Sequence, residues 1–155
     1  MADSQASEAQ ENILGGGSTK LIPSDIKKEW SWVRPGLEYI QNADPDPLQI
    51  PEDVYAACVN GSGHLYIDEN REFFAILSTI EQPYKGKELV LWYTWNKNRH
   101  GHRLSDNYVP LMEDLAREIG CDKLMFETTV PEVAKYAENH GWFIDTIVVK
   151  KVVNG

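Results

Sequence analysis

Residues 88–129 read ELVLWYTWNKNRHGHRLSDNYVPLMEDLAREIGCDKLMFETT, and the fold is decided in this stretch. Residues 88–96 are rich in β-branched and aromatic side chains, the composition of a strand. A polar loop follows, holding Arg99, His100, Gly101, His102 and Arg103. Over residues 105–120, Leu111, Leu115 and Ile119 recur at helical spacing on one face, and Gly120 is a stop signal. Pro110 would cost a backbone bond anywhere beyond the first four positions, so this helix begins near Asn107 or kinks at Pro110. Residues 123–128 form a second, short apolar strand. A strand, a helix and a second strand in succession imply a crossover that brings the two strands together in parallel.

Upstream, residues 64–68 and 72–81 are two further strand-like runs, separated by polar turns at Asp68-Glu69-Asn70 and Pro83-Tyr84-Lys85-Gly86. With residues 88–96 they make an antiparallel meander. Two helices precede it. The first follows Pro23-Ser24-Asp25, where a Ser or Asp side chain can cap free amides, and keeps helical spacing through Ile26, Trp30 and Val33 until Pro35 breaks or restarts it. The second opens at Pro51-Glu52-Asp53 and ends at Asn60-Gly61. Asp44-Pro45-Asp46-Pro47 between them is a rigid loop. Downstream, residues 131–140 form a helix stopped by Gly141, and residues 142–153 a final strand. Residues 1–19, ending in Gly15-Gly16-Gly17-Ser18, bury too little apolar surface to fold alone and read as a flexible tail that is either inert or an arm for assembly. Residues 20–155 are then one domain.

The chain has 155 residues, the size of one domain, with 42% apolar and 25% charged side chains as in a globular protein. No apolar run reaches the length of about 18 residues needed to span a bilayer, so no membrane partner is expected. No basic region followed by an apolar stretch marks a secretory signal, and Cys58 and Cys121 need not pair, so a reducing, cytoplasmic setting is expected. A formal charge of −9 repels phosphate backbones, which argues against nucleic acid; it suits a basic substrate or partner, and equally serves solubility alone. Five tryptophans are many for this length. Trp92 and Trp95 fall on opposite faces of a regular strand, one toward the core and the other toward a cleft or partner.

From about Ile50 to Val153 this order of elements resembles the GNAT superfamily of acetyl-CoA-dependent N-acetyltransferases. The fold class expected is therefore α/β (α+β), a mixed, mainly antiparallel sheet flanked by helices, with a splayed parallel strand pair. In that family a loop of the form Gln/Arg-x-x-Gly-x-Gly/Ala and the helix after it hold the pyrophosphate of CoA. The matching stretch here is Asn98-Arg99-His100-Gly101-His102-Arg103, in which Gly101 fits while Asn98 and Arg103 depart from the pattern. The resemblance implies acetyl-CoA as cofactor, contacted by these six residues and by Tyr93 and Thr94 of the preceding strand. The same residues also read as a basic surface loop. Trp95 would lid the pantetheine channel, fill it, or pack in the core.

Glu132 to Trp142 is similar to the family's Asn-x-x-Ala-x-x-x-Tyr-x-x-x-Gly-Phe, with Gly141-Trp142 in place of Gly-Phe. The family's proton-donating Tyr falls on Ala137, and Tyr136 lies one position away, about 100° around the helix. Acetyl transfer also needs a base for the ammonium proton, for which Glu127, Glu81, His100 and His102 are the candidates. His100-x-His102 has no Cys or acid at matching spacing to complete a metal site, so no metal is expected. Pro51-Glu52-Asp53-Val54-Tyr55-Ala56-Ala57, followed by His64-Leu65-Tyr66-Ile67, is similar to compact GNAT-like proteins of tailed bacteriophages, some of them virion components. Two functions follow from these likenesses. One is acetyl transfer to an amine. The other is a catalytically lapsed GNAT-like protein acting through protein contacts, placed in the host cytoplasm or the virion.

Overall fold

In the computed structural model of the chain, the described residues are 20–44, 47–97 and 108–154. The tail expected over residues 1–19 lies outside them. The short strand β1 (Ile22–Pro23) leads into helix α1 (Ile26–Asn42), whose first turn is capped by Asp25 accepting from the Lys27 amide at 2.9 Å. Helix α2 (Pro51–Asn60) carries Pro51 in its first turn, while the Asp53 carboxylate accepts from the Ile50 amide at 3.0 Å. It ends at Gly61, whose φ of 89° is the left-handed conformation that glycine adopts without strain.

Pro35 neither breaks nor restarts α1, contrary to the sequence expectation; the helix runs through it for 17 residues. A proline inside a helix costs about 3 kcal/mol. Against that, Ile26, Val33, Gly36 and Leu37 bury one continuous face, and each fully buried aliphatic side chain contributes about 1.5–3 kcal/mol. Pro35 itself points to solvent.

Strands β2 (His64–Ile67), β3 (Phe73–Gln82) and β4 (Gly86–Asn96) form the antiparallel meander, and β5 (Lys123–Met125) closes a sheet of order β1-β2-β3-β4-β5. Strand β5 pairs in parallel with β4, as the crossover demands. The crossover helix α3 (Val109–Glu118) has Pro110 within its first turn, where a missing donor costs nothing, so no kink is needed. Residues 105–107 lie outside the described set. Helix α4 (Pro131–Glu138) follows β5 and is closed by the Trp142 amide donating to the Ala137 carbonyl at 3.1 Å.

The sheet is covered on both faces. Leu21, Phe73, Ala75, Leu77, Leu89 and Leu91 meet Met112, Leu115 and Ala116 of α3 on one face. On the other, Leu65, Ile67, Phe74 and Ile76 meet Ile26, Val33 and Leu37 of α1 and Val54 of α2. The buried Glu29 ties α1 to the β2–β3 turn. Its carboxylate accepts from Arg71 Nε at 2.8 Å and Nη2 at 3.0 Å, from Trp32 Nε1 at 2.6 Å and from Ser24 Oγ at 2.9 Å. The Arg71 hydrogen bond is the largest influence in holding this carboxyl down to about 2, against the opposing effect of burial.

Two further expectations are corrected. Residues 142–153 join no ladder; they run beyond Trp142 as an exposed segment. A strand needs a partner edge for its peptide groups, and this one has none among the described residues. Trp92 and Trp95 do not face opposite sides either: both pack against the cluster beneath α1 and α2. The cause is a β-bulge. Ile76 pairs with Tyr93 and Leu77 with Leu91, which leaves Trp92 as an extra residue and resets the alternation.

Candidate functional site

The β4–β5 ladder has three pairs, Glu88 with Lys123, Leu89 with Leu124 and Val90 with Met125. Past Val90 the two strands share no further pair, yet β4 runs on to Asn96, paired among the described residues with β3 alone. Over these six residues, about 20 Å of strand, one edge of β4 presents peptide groups that no strand among the described residues pairs with. The bulge at Trp92 sits just beyond the last shared pair. This coincidence marks a candidate cleft, with Leu91–Asn96 as one wall and the chain from Phe126 onward as the other.

Side chains of β4 split between the faces. Tyr93 and Trp95 stand opposite Ile76 and Phe74 and pack toward α1 and α2, whereas Thr94 stands opposite Ala75, a member of the α3-side cluster. Tyr93 is half-buried, and its hydroxyl donates to Gln49 Oε1 at 2.8 Å, which fastens the segment before α2 to the cleft wall. Trp95 is stacked on Phe74 at 5.7 Å and meets Trp32 of α1 at 6.2 Å. It is partly buried against the cluster on that face. Tyr108, at the start of α3, stacks on Phe73 at 4.0 Å with the rings 6° from parallel. Burial first, and then the carboxylates of Asp68 and Glu72, push its phenol up to about 12, so it stays protonated at neutral pH.

The remaining candidates are placed as follows. Glu127 is exposed, two residues past the last ladder pair, on the segment that forms the second wall. Glu81 pairs with Lys87 near the β3–β4 turn, so it lies about 20 Å from the level of Tyr93 and away from the cleft. Tyr136 stacks on His140 at 3.9 Å, and it is Ala137, its neighbour, that α4 buries. The one-position offset seen in the sequence thus turns Tyr136 along the helix surface. Asn98, Arg99, His100, Gly101, His102 and Arg103 lie outside the described residues. Sequence reasoning missed the Tyr93–Gln49 tie and the Phe73–Tyr108 stack. Neither has a sequence signature, since each joins side chains brought together only by the fold.

No protein-family model matches the sequence, and none of the curated proteins does. Solved structures do match in shape. A probable acetyltransferase superposes with a TM-score of 0.62 at 13% identity, covering 88% of this chain and 98% of its own. A ribosomal-protein-alanine N-acetyltransferase from Brucella melitensis biovar Abortus gives 0.61 at 12% identity over 88% and 99%. An aminoglycoside acetyltransferase from an uncultured soil metagenomic sample, solved with sisomicin, gives 0.58 at 10% identity over 87% and 95%. The fold is therefore one shared with acetyltransferases. What is shared is a mixed α/β architecture, a mostly antiparallel five-strand sheet whose last pair, β4 and β5, is parallel. Among the described residues no helix is long and apolar enough to cross a membrane.

Proposed function

We propose that the protein transfers an acetyl group from acetyl-CoA to an amine. The observation that carries this reading is the end of the β4–β5 ladder at Val90 and Met125 beside a bulge at Trp92. An edge of unpaired peptide groups bordering a cleft accepts an extended, amide-bearing ligand as it would an added strand. The pantetheine arm of CoA is such a ligand, and the β4 edge fits it. Arg99, His100, His102 and Arg103, with the amides around Gly101, supply cationic and backbone donors for the pyrophosphate. Acetyl-CoA supplies the activated acetyl group as a thioester.

The rest of the chemistry belongs to the chain's own residues. Glu127, exposed on the second wall, accepts the proton that the ammonium must lose before it can attack, directly or through a water. The net charge of −9 attracts cationic amines to the protein as a whole. Tyr93 and its partner Gln49 fix one wall, so the acceptor meets a formed surface. The aminoglycoside-bound neighbour is consistent with an acceptor carrying several amines.

The test is binding, followed by turnover. Calorimetry and thermal unfolding with acetyl-CoA should show saturable binding and a Tm that rises with ligand concentration. Absence of any shift at millimolar acetyl-CoA overturns the proposal and leaves a GNAT-type fold that works through protein contacts. Binding without acetylation of a panel of polyamines, aminoglycosides and protein N-termini would confine the site to a binding role.

A further inference from the structure

The buried face of α1 carries a polar side chain that the fold leaves unpaired. Gln41 is 6% exposed, one turn past Leu37 and two past Val33, both fully buried. Neither its amide nitrogen Nε2 nor its amide oxygen Oε1 has a hydrogen-bond partner among the described residues. Buried polar groups are otherwise paired in folded proteins, because an unpaired one gives up its hydration for nothing. The same helix shows the contrast, since Glu29, also buried, accepts four hydrogen bonds. A water held at such a place needs about three polar partners, and the neighbours on this face, Leu37 and Val33, are apolar.

The course of α1 takes Gln41 to the candidate cleft. Just before the helix, the Ser24 amide donates to the Leu65 carbonyl of β2 at 3.0 Å. Farther along, Trp32 meets the rings of Phe74 on β3 and Trp95 on β4, and Gly36 lies so close over the same rings that a Cβ there would stand 2.7 Å from Phe74 and 3.0 Å from Trp95. The helix thus crosses from β2 over β3 and β4, at the end of the sheet where β4 finishes. From Gly36 to Gln41 is about 7.5 Å of axis, more than the strand spacing of about 4.8 Å. The last turn therefore overhangs the outer edge of β4, where Leu91–Asn96 have no strand partner on that side among the described residues. Tyr93 in that stretch holds Gln49, so the chain after α1 returns to the same wall.

We infer that Gln41 selects the acceptor amine, an inference that rests on the acetyl-transfer reading and gives its substrate a chemical class. The carboxamide sets an acceptor and a donor side by side. Oε1 takes a hydrogen from the amine, and Nε2 gives one to an oxygen on the neighbouring carbon. The ligand that satisfies both in one pose is a vicinal amino alcohol. A plain alkylamine leaves Nε2 buried and unpaired, and is rejected for that reason. Keeping such an amide in a buried face lowers the stability of the free protein, a trade of stability against function at one residue.

The experiment is a nuclear magnetic resonance titration of the nitrogen-15-labelled full chain, free of acetyl-CoA, with 2-aminoethanol and separately with n-propylamine, which keeps the size and charge but has a methyl in place of the hydroxyl. The side-chain amide pair of Gln41, identified by its loss in Gln41→Leu, should shift saturably with 2-aminoethanol, and n-propylamine should bind at least about tenfold more weakly. In Q41L the two amines should bind equally, while Tm rises by about 2–4 °C because an unpaired amide has left a buried face. An amide pair that 2-aminoethanol leaves unmoved up to about 100 mM overturns the inference. So does equal affinity of the wild type for the two amines, or a lower Tm in Q41L, which would give the amide a structural partner. Should Q41L fail to fold, Gln41→Met, unbranched and of similar length, supplies the same readings. Because acetyl-CoA is absent from the titration, a chain that discriminates the amines through Gln41 yet never binds acetyl-CoA refutes the transfer reading alone.

Discussion

Replacing Glu29 with Gln tests whether the carboxylate beneath α1 fastens that helix to the sheet through its charge. Glu29 is 3% exposed and accepts four hydrogen bonds, two from Arg71 and one each from Trp32 and Ser24. Its pKa is held from an ordinary 4.5 down to about 2, and at about 1.4 kcal/mol per unit that sets a ceiling of about 3.5 kcal/mol on its contribution. The Arg71 side chain is 56% exposed, so water screens the pair, and the realistic figure is about 1–2 kcal/mol. The sign follows from the direction of the shift. Because the folded pKa lies below the unfolded one, the contribution is complete above about pH 4.5 and drains away as pH falls toward 2. Urea unfolding followed by tryptophan fluorescence should place the E29Q midpoint about 0.5–1 M below wild type at pH 7, for a urea slope of about 2 kcal/mol per molar. The gap should narrow steadily between pH 5 and pH 2.5. Two curves that stay parallel over that interval would refute the assignment of the stability to the Glu29 charge.

Gly36→Ala places a Cβ 2.7 Å from Phe74 Cε2 and 3.0 Å from Trp95 Cδ2; the helix-propensity gain of about 1 kcal/mol is outweighed by overpacking of about 1–3 kcal/mol. A lower Tm with a changed near-ultraviolet spectrum is the expected result. The Cys58 thiol, pushed up to about 11 by burial, should alkylate at pH 8 at least about 100-fold more slowly in the native protein than in urea, measured by mass spectrometry. Glu127→Gln should lower the acetylation rate by about 100-fold while leaving the calorimetric affinity for acetyl-CoA unchanged.

How much of the fold was legible depended on whether its cause was local. Gly61, Gly120 and Gly141 all adopt positive φ at the helix ends that their positions indicated, because the left-handed turn is a property of the residue itself. The three meander strands came within two residues of their observed bounds, since each is an apolar run delimited by a polar turn. Pro35 was misread because its local cost is plain in the sequence while the face that outweighs it, Val33 and Leu37 against the sheet, is tertiary. The bulge was invisible for a related reason: it is a mismatch of count between β3 and β4, and neither strand carries it alone.

The site divides in the same way, and the division explains why the two tryptophans and the two tyrosines were hard to place. Regular alternation along β4 puts Trp92 and Trp95 on opposite faces, but a single extra residue moves Trp92 onto the face of Trp95, so both pack beneath α1 and α2. Counting back from Gly141 puts Tyr136 one position from the one the resemblance marks, a matter of local helical phase; in the structure Tyr136 stacks on His140 while Ala137 is buried. The cleft itself depends on where two strands distant in sequence stop pairing. A pattern of residues could imply that β4 and β5 lie in parallel, yet only the register reveals that they part after Val90, leaving six residues of open edge beside the bulge. That open edge, rather than any one side chain, is what makes the cofactor reading physically specific, and it does so without the departures at residues 98, 103 and 137 bearing on it. In the proposed reading, the departures at residues 98 and 103 bear on the phosphate end and so on affinity, while that at 137 bears on protonation of the leaving thiolate and so on turnover, which separates what calorimetry and acetylation assays would each report.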